Sequence, residues 1–136
     1  MTSIPLEILK INDGYHILCR IHVRNKEYRM LVDTGASLTM FDIKNLKKLS
    51  DNEAIDGESS SAGFTGQIEN KFIIIEEMIL GNIIINDYKT MLIDFDIFNN
   101  HFKKYGYPLI DGIIGGDILY KYNAIIDYNG REIVIF

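Results

Sequence analysis

A chain of 136 residues carrying a net charge of −5 has the length of one domain and enough of it to enclose a real core, so a single domain over residues 1–136 is expected. Its 47% hydrophobic and 24% charged residues exclude a disordered or low-complexity chain. Its acidic balance, with Lys and Arg scattered apart from Lys44, Lys47 and Lys48, excludes a phosphate-binding face, and no nucleic-acid partner is expected.

The first residues, 1–7, hold neither a basic region nor an apolar stretch of the export type, so a cytoplasmic location is expected. The longest purely apolar run, 72–75, falls far short of the roughly 20 residues that cross a bilayer, and no membrane partner is expected. The lone cysteine, Cys19, can form neither an intrachain disulfide nor a thiolate zinc site by itself, and its alternating apolar neighbours make it a reduced core thiol.

Ile17, Cys19, Ile21 and Val23 alternate with Leu18, Arg20, His22 and Arg24, which predicts a half-buried strand. A tight turn at Asn25 and Lys26 predicts reversal into a second strand over 27–32. Asp42 is a candidate N-cap for a helix over 43–49, with Ile43, Leu46 and Leu49 facing inward. The polar small-residue stretch 56–67 reads as a hairpin tip rather than a domain boundary. Isoleucine clusters at 73–75, 83–85, 113–114 and 125–126 mark further strands. Segment 94–109 is compatible with a short helix over 95–102 or with a packed loop. A second helix is expected over 116–122, led by Asp117. The class is all-β with one or two short helices, and a faint internal echo accompanies it: strand, glycine turn and helix recur around Gly35 and again around Gly115.

Chemistry concentrates at Leu31, Val32, Asp33, Thr34, Gly35, Ala36 and Ser37. A carboxylate leaving an apolar strand end is partly desolvated, which penalises its ionised form unless donors or a second charge partner are supplied. A glycine two residues on permits a tight turn and leaves backbone N–H groups near the carboxylate. By itself this pattern also fits an Asp that only caps a turn.

At these residues the chain resembles the retropepsin-like aspartic proteases. Asp33, Thr34 and Gly35 match the family's catalytic triplet, and Ala36 matches its retroviral form. Ile113, Ile114 and Gly115 match the second signature, followed by Asp117, Ile118 and Leu119 at the start of a short helix. Ala62, Gly63, Phe64, Thr65 and Gly66 stand where the family carries its glycine-rich flap, and 123–128 with 132–136 match the closing strands. The resemblance runs from about Ile4 to Phe136 and implies an acid protease half-barrel in which Asp33, Thr34 and Gly35 are catalytic. Ala36, Ala62, Gly63, Phe64, Gly66 and Ile114 would then contact substrate. No cofactor and no metal are implied. The chain departs from retroviral members at Ser37 and Gly116, where an Asp and an Arg usually form an ion pair that ties the active-site turn to the helix. Here the turn must be held otherwise. Phe64 is the nearest equivalent of the pepsin flap tyrosine, without its hydroxyl.

Hydrolysis by this chemistry takes two facing carboxylates sharing one proton, and one chain supplies only Asp33. Asp111 and Gly112 in the second half lack the hydroxyl-glycine sequence that follows Asp33. The resemblance therefore implies a C2 homodimer acting on an extended peptide or protein substrate, with Thr34 buttressing the pair. It also leads to the expectation that the terminal apolar strand, 133–136, pairs with its symmetry mate or with the partner's N-terminal strand, the alternative being that it closes its own subunit's sheet against 123–128. The competing reading is a retropepsin-fold module that binds peptide or dimerises without cleaving. His16, His22 and His101 show no metal-ligand spacing. Ser37 lacks an orienting histidine, and Asp87, Asp94 and Asp96 read as a solvated acidic face.

Overall fold

The computed structural model describes residues 1–56 and 71–136; the expected flap residues Ala62, Gly63, Phe64, Thr65 and Gly66 lie outside them. The chain opens with β1 (Thr2–Pro5), β2 (Glu7–Ile11), β3 (Gly14–Val23) and β4 (Lys26–Val32). Arg24 and Asn25 join β3 to β4 with φ of 52° and 61°, the paired positive dihedrals of a tight hairpin turn. The turn sits one residue earlier than its expected place at Asn25 and Lys26, because Lys26 already pairs with Val23.

After β4 come β5 (Met40–Asp42), a 3-10 turn at Ile43–Asn45 and α1 (Leu46–Leu49). The Asp42 carboxylate accepts the Lys44 N–H at 3.2 Å, so the expected cap is present. The helix it starts is a 3-10 turn running into one α-turn, anchored by the buried Leu49. β6 (Ile55–Asp56), β7 (Lys71–Leu80) and β8 (Ile83–Ile93) follow, then α2 (Asp96–Lys104), β9 (Gly112–Ile114), α3 (Gly116–Lys121), β10 (Ile125–Asp127) and β11 (Glu132–Ile135). Segment 94–109 is thus built around a helix, a third short one beside those expected.

Strands β3-β4-β9-β5-β8-β7 are hydrogen-bonded in that order, and β7 pairs back onto β3 through His22 with Ile79 and Val23 with Met78. The sheet therefore closes into a six-stranded barrel. Ile17, Cys19, Ile21 and Val23 point into it as the alternation predicts, beside Met30, Phe41, Ile73, Ile75 and Leu92. Each such side chain taken out of water contributes about 1.5–3 kcal/mol. Cys19 is a buried core thiol, and burial pushes it up to about 12, which removes it as a nucleophile near neutral pH.

The outer face departs from the expected half-solvated strand. Leu18 and Leu31 point away from the barrel but are buried in a second core with Leu9, Ile11, Phe95, Phe102, Ile110 and Ile113. α2 supplies Phe102 and its N-cap residue Phe95 to this layer, so the barrel wall carries apolar groups on both faces there.

A separate three-stranded sheet has the order β1-β11-β10. The expectation that 133–136 pairs with a second copy is corrected here. Both edges of β11 are occupied by its own chain, Val134 facing Ser3 on one side and Ile125 on the other. Ile133 and Ile135 are buried in the main core, so this strand closes its own subunit.

Candidate active site

β9 runs parallel to β4, with Leu31 opposite Ile113 and Val32 opposite Ile114, and antiparallel to β5, with Met40 opposite Ile113. The strands on either side of the Asp33 turn are thus separated by a third strand inserted between them, and residues 33–39 must arch over its end. The internal echo in the sequence becomes concrete in this arrangement: the turns at Gly35 and Gly115 leave adjacent parallel strands at the same end and pack on each other.

The arch is tied down at both feet. The Asp33 N–H donates to the Ile114 carbonyl at 3.0 Å, and the Gly115 N–H donates to the Thr39 hydroxyl at 3.0 Å. Within the turn the Gly35 N–H donates to the Asp33 carboxylate at 2.8 Å, and the Ala36 N–H donates to the Asp33 carbonyl at 3.1 Å. These bonds orient a half-buried carboxylate beside an exposed Thr34 and Gly35. Gly35 has a local reason to be glycine, since a Cβ there would stand 3.1 Å from the carboxylate oxygen it serves.

What replaces the missing ion pair is Asp117. Its carboxylate accepts the Thr39 N–H at 2.9 Å and the Thr39 hydroxyl at 2.8 Å, and also the Tyr88 hydroxyl. In the opposite direction the Gly116 N–H donates to the Ala36 carbonyl at 2.7 Å, and the Asp117 N–H donates to the Ser37 carbonyl at 3.1 Å. Ser37 and Gly116, where an ion pair was expected to be absent, therefore take part through backbone groups alone. Burial and the adjacent carboxylate push the Tyr88 phenol well above its ordinary range, so it remains a donor at any working pH. The Thr90 hydroxyl donates to the Thr39 carbonyl at 3.2 Å and completes the clamp.

Thr39, Tyr88 and Asp117 were not identified as site residues from the sequence, which showed Asp117 only as the leader of a short helix. Thr39 and Tyr88 lie 78 and 29 residues from Asp117, and no local pattern joins them. Removing the acceptor strands three donors, each costing about 1–3 kcal/mol when left buried and unpaired. Asp117→Ala should accordingly lower stability by about 3 kcal/mol, whereas Asp117→Asn, which keeps one carbonyl oxygen, should lose less. A urea midpoint of Asp117→Ala at the wild-type value would show that Asp117 does not hold the turn.

Asp111 lies elsewhere. It accepts the Arg29 N–H at 2.9 Å and the Asn45 side-chain amide at 3.3 Å, four residues back along β4 from Asp33, and pins α1's entry to the barrel. Ile114, expected at the substrate face, is only 1% exposed; its side chain fills the core and its carbonyl serves Asp33. Ala36 is half-buried against the second core.

A cleft of about 680 Å³ opens from Asp33 toward α2, with Ile17, Leu31 and Phe102 along it and Tyr15 and Tyr128 at its margins. Among the described residues no group of three or more His, Cys, Asp or Glu is placed to hold a metal ion, and no helix is long and apolar enough to cross a membrane. The acidic residues at 94 and 96 serve locally: Asp94 accepts the Asp96 N–H at 2.9 Å, and Lys44 pairs with Asp96.

Known proteins align with this architecture. The sequence model described as aspartyl protease matches residues 19–118, which takes in both the Asp33 turn and the Gly115 turn. A retropepsin-like aspartic protease from Rickettsia conorii superimposes with a TM-score of 0.62 at 17% identity, over 99% of this chain and 96% of that one. The retroviral protease-like domain of Ddi1 from Leishmania major superimposes with a TM-score of 0.55 at 15% identity, over 87% and 86%. No curated protein sequence matches significantly. A family match that spans the Asp33 turn and the strand inserted beside it, on a barrel of the retropepsin type, places this chain in the aspartyl protease family.

Proposed function

We propose that residues 1–136 form an aspartic endopeptidase that works as a homodimer on extended peptide segments. The observation that carries this reading is the Asp33 carboxylate: oriented by the Gly35 N–H at 2.8 Å, set on a turn clamped at both feet, and facing an open cleft. A turn that served only the fold would not need its acid at the mouth of a cleft.

In the dimer two copies of Asp33 would face one another across the two-fold axis and hold one proton between them. The ionised member takes a proton from water as the water oxygen attacks the scissile carbonyl, and the protonated member gives its proton to the carbonyl oxygen. Collapse of the tetrahedral intermediate breaks the C–N bond, with a proton passing to the leaving amine. The pair titrates as one unit, so neither pKa belongs to a single subunit. Thr34 and Gly35 complete the catalytic turn, and the backbone around Ala36 together with Ala62, Gly63, Phe64 and Gly66 would line the extended substrate as an added strand.

The exposed Thr34 and Gly35, and Leu38, Ile125 and Tyr128 at 42%, 54% and 58% exposure, supply a surface around the Asp33 turn and the outer edge of β10. That surface supports a partner of the same kind, since among the described residues β10 pairs with β11 alone and an edge of that sort needs a cover. Activity per chain should therefore fall on dilution through the dimer dissociation constant. Constant activity per chain, with sedimentation showing only monomer, would overturn the shared site; no activity at any chain concentration would leave the silent binding module as the reading.

A further inference from the structure

The outer face of the β3–β4 hairpin sets two arginines directly opposite each other, Arg20 on β3 and Arg29 on β4. Like charges in that register repel, and carboxylates answer them. Glu7 on β2 accepts from Arg29 Nη1 at 2.9 Å and stands 3.9 Å from Arg20 Nη2. Glu27 accepts from Arg20 Nη1 at 2.8 Å and stands 3.6 Å from His22 Nε2. Two carboxylates thus balance two guanidinium groups.

The hydrogen bonds do not balance in the same way. Arg29 is the buried member of the pair, its side chain 15% exposed against 53% for Arg20. Its Nε–H and Nη2–H groups have no acceptor among the described residues, and both nitrogens are shut off from solvent. They share one edge of the planar guanidinium, the edge that holds both oxygens of a carboxylate at once. Leaving a buried, charged donor pair unmade is costly, so the local fold alone does not explain it. The same arginine lines a cavity of about 430 Å³ together with Arg20, Ile4, Pro5 and Leu18, and this cavity shares no residue with the cleft at Asp33.

We propose that this cavity binds a small monocarboxylate with an apolar body, held through the Nε and Nη2 edge of Arg29. The planar fork matches the two oxygens of the carboxylate. Glu7 and Glu27 repel the second charge that a phosphate would bring, and Ile4, Pro5 and Leu18 offer apolar contact to the rest of the molecule. Entry requires lining side chains to turn aside; Arg20 and Glu27, 53% and 47% exposed, are joined by a surface ion pair of little stability. The site stands apart from the chemistry at Asp33 and does not depend on it.

The test titrates the 136-residue chain with N-acetyl-leucine, with isocaproate, and with N-acetyl-leucinamide as the uncharged control, followed by NMR at the backbone amides and at the Arg29 Nε–H. The acids should move the Arg29 Nε–H resonance and the Leu18 and Arg20 amides while leaving Thr34 and Gly35 in place, and the control should move none of them. Response to N-acetyl-leucine alone assigns the site to a peptide C-terminus, and response to isocaproate assigns it to free carboxylic acids. Arg29→Lys keeps the charge but loses the fork, and should weaken binding about ten-fold. Unchanged affinity in that variant would overturn the proposal. So would a still Arg29 Nε–H at tens of millimolar acid, an equal response to the control, tighter binding of inorganic phosphate, or shifts confined to Thr34 and Gly35. If Arg29→Lys does not fold, the wild-type titration decides by itself.

Discussion

Asp33→Asn is expected to abolish peptide hydrolysis, lowering kcat by about 10⁴-fold, the upper range for loss of general acid–base catalysis. The amide retains an oxygen that can accept the Gly35 N–H now bound at 2.8 Å, so the turn and the barrel should persist. In a homodimer each substitution counts twice, because the water-activating and the proton-donating groups are the same residue in two subunits. The effect therefore reaches the whole acid–base pair. Mixing adds a second readout: with an equal amount of the Asn chain and full exchange, half of the wild-type chains sit in mixed dimers, and wild-type activity should halve. Turnover near wild type in the pure variant would remove Asp33 from the mechanism. An unchanged activity on mixing would remove the partner.

Gly115→Ala should destabilise the chain and its Asp33 turn together. A Cβ at this position would lie 2.6 Å from the Leu38 carbonyl carbon and oxygen and 2.8 Å from the Ala36 carbonyl oxygen. These are backbone atoms of the Asp33 arch, and they cannot swing away as a side chain would. Relief requires the arch to lift from β9, which breaks the Gly115 N–H bond to Thr39 and the Gly116 N–H bond to Ala36. Overpacking of this kind costs about 3 kcal/mol, and the fraction that remains folded should lose activity as well because its carboxylate is displaced. Thermal melts within a degree or two of wild type, with kcat preserved, would show that the arch does not rest on Gly115.

Much of this was readable locally. The alternation of Ile17, Cys19, Ile21 and Val23 defines the inward face of β3, because side chains on a strand repeat every second residue. Asp42 reads as a cap because its carboxylate serves an N–H two residues away. The Asp33, Thr34 and Gly35 turn is legible for the same reason, since the bonds that aim its carboxylate and close it run between residues 33–36. Where contacts span the chain, such reading fails. Arg20 and His22 are exposed as alternation predicts, but Leu18 and Leu31 on the same outer face are buried, since α2 arrives from segment 94–109 to cover them. Segment 94–109 mixes polar and aromatic residues, and its own pattern does not decide between helix and loop; the docking of Phe95 and Phe102 does.

The sequence by itself determined a mainly β domain and the turn that holds the candidate catalytic acid, because alternation and turn chemistry act over a few residues, while the family was legible only through the resemblance of its motifs. Only the tertiary structure decided how the Asp33 turn is held, through Thr39, Tyr88 and Asp117, three residues brought together by threading β9 between β4 and β5. It alone also showed that β11 is enclosed by its own chain, since an apolar terminal strand satisfies its edges equally well within a subunit or between two, and the choice depends on whether β1 and β10 reach it first.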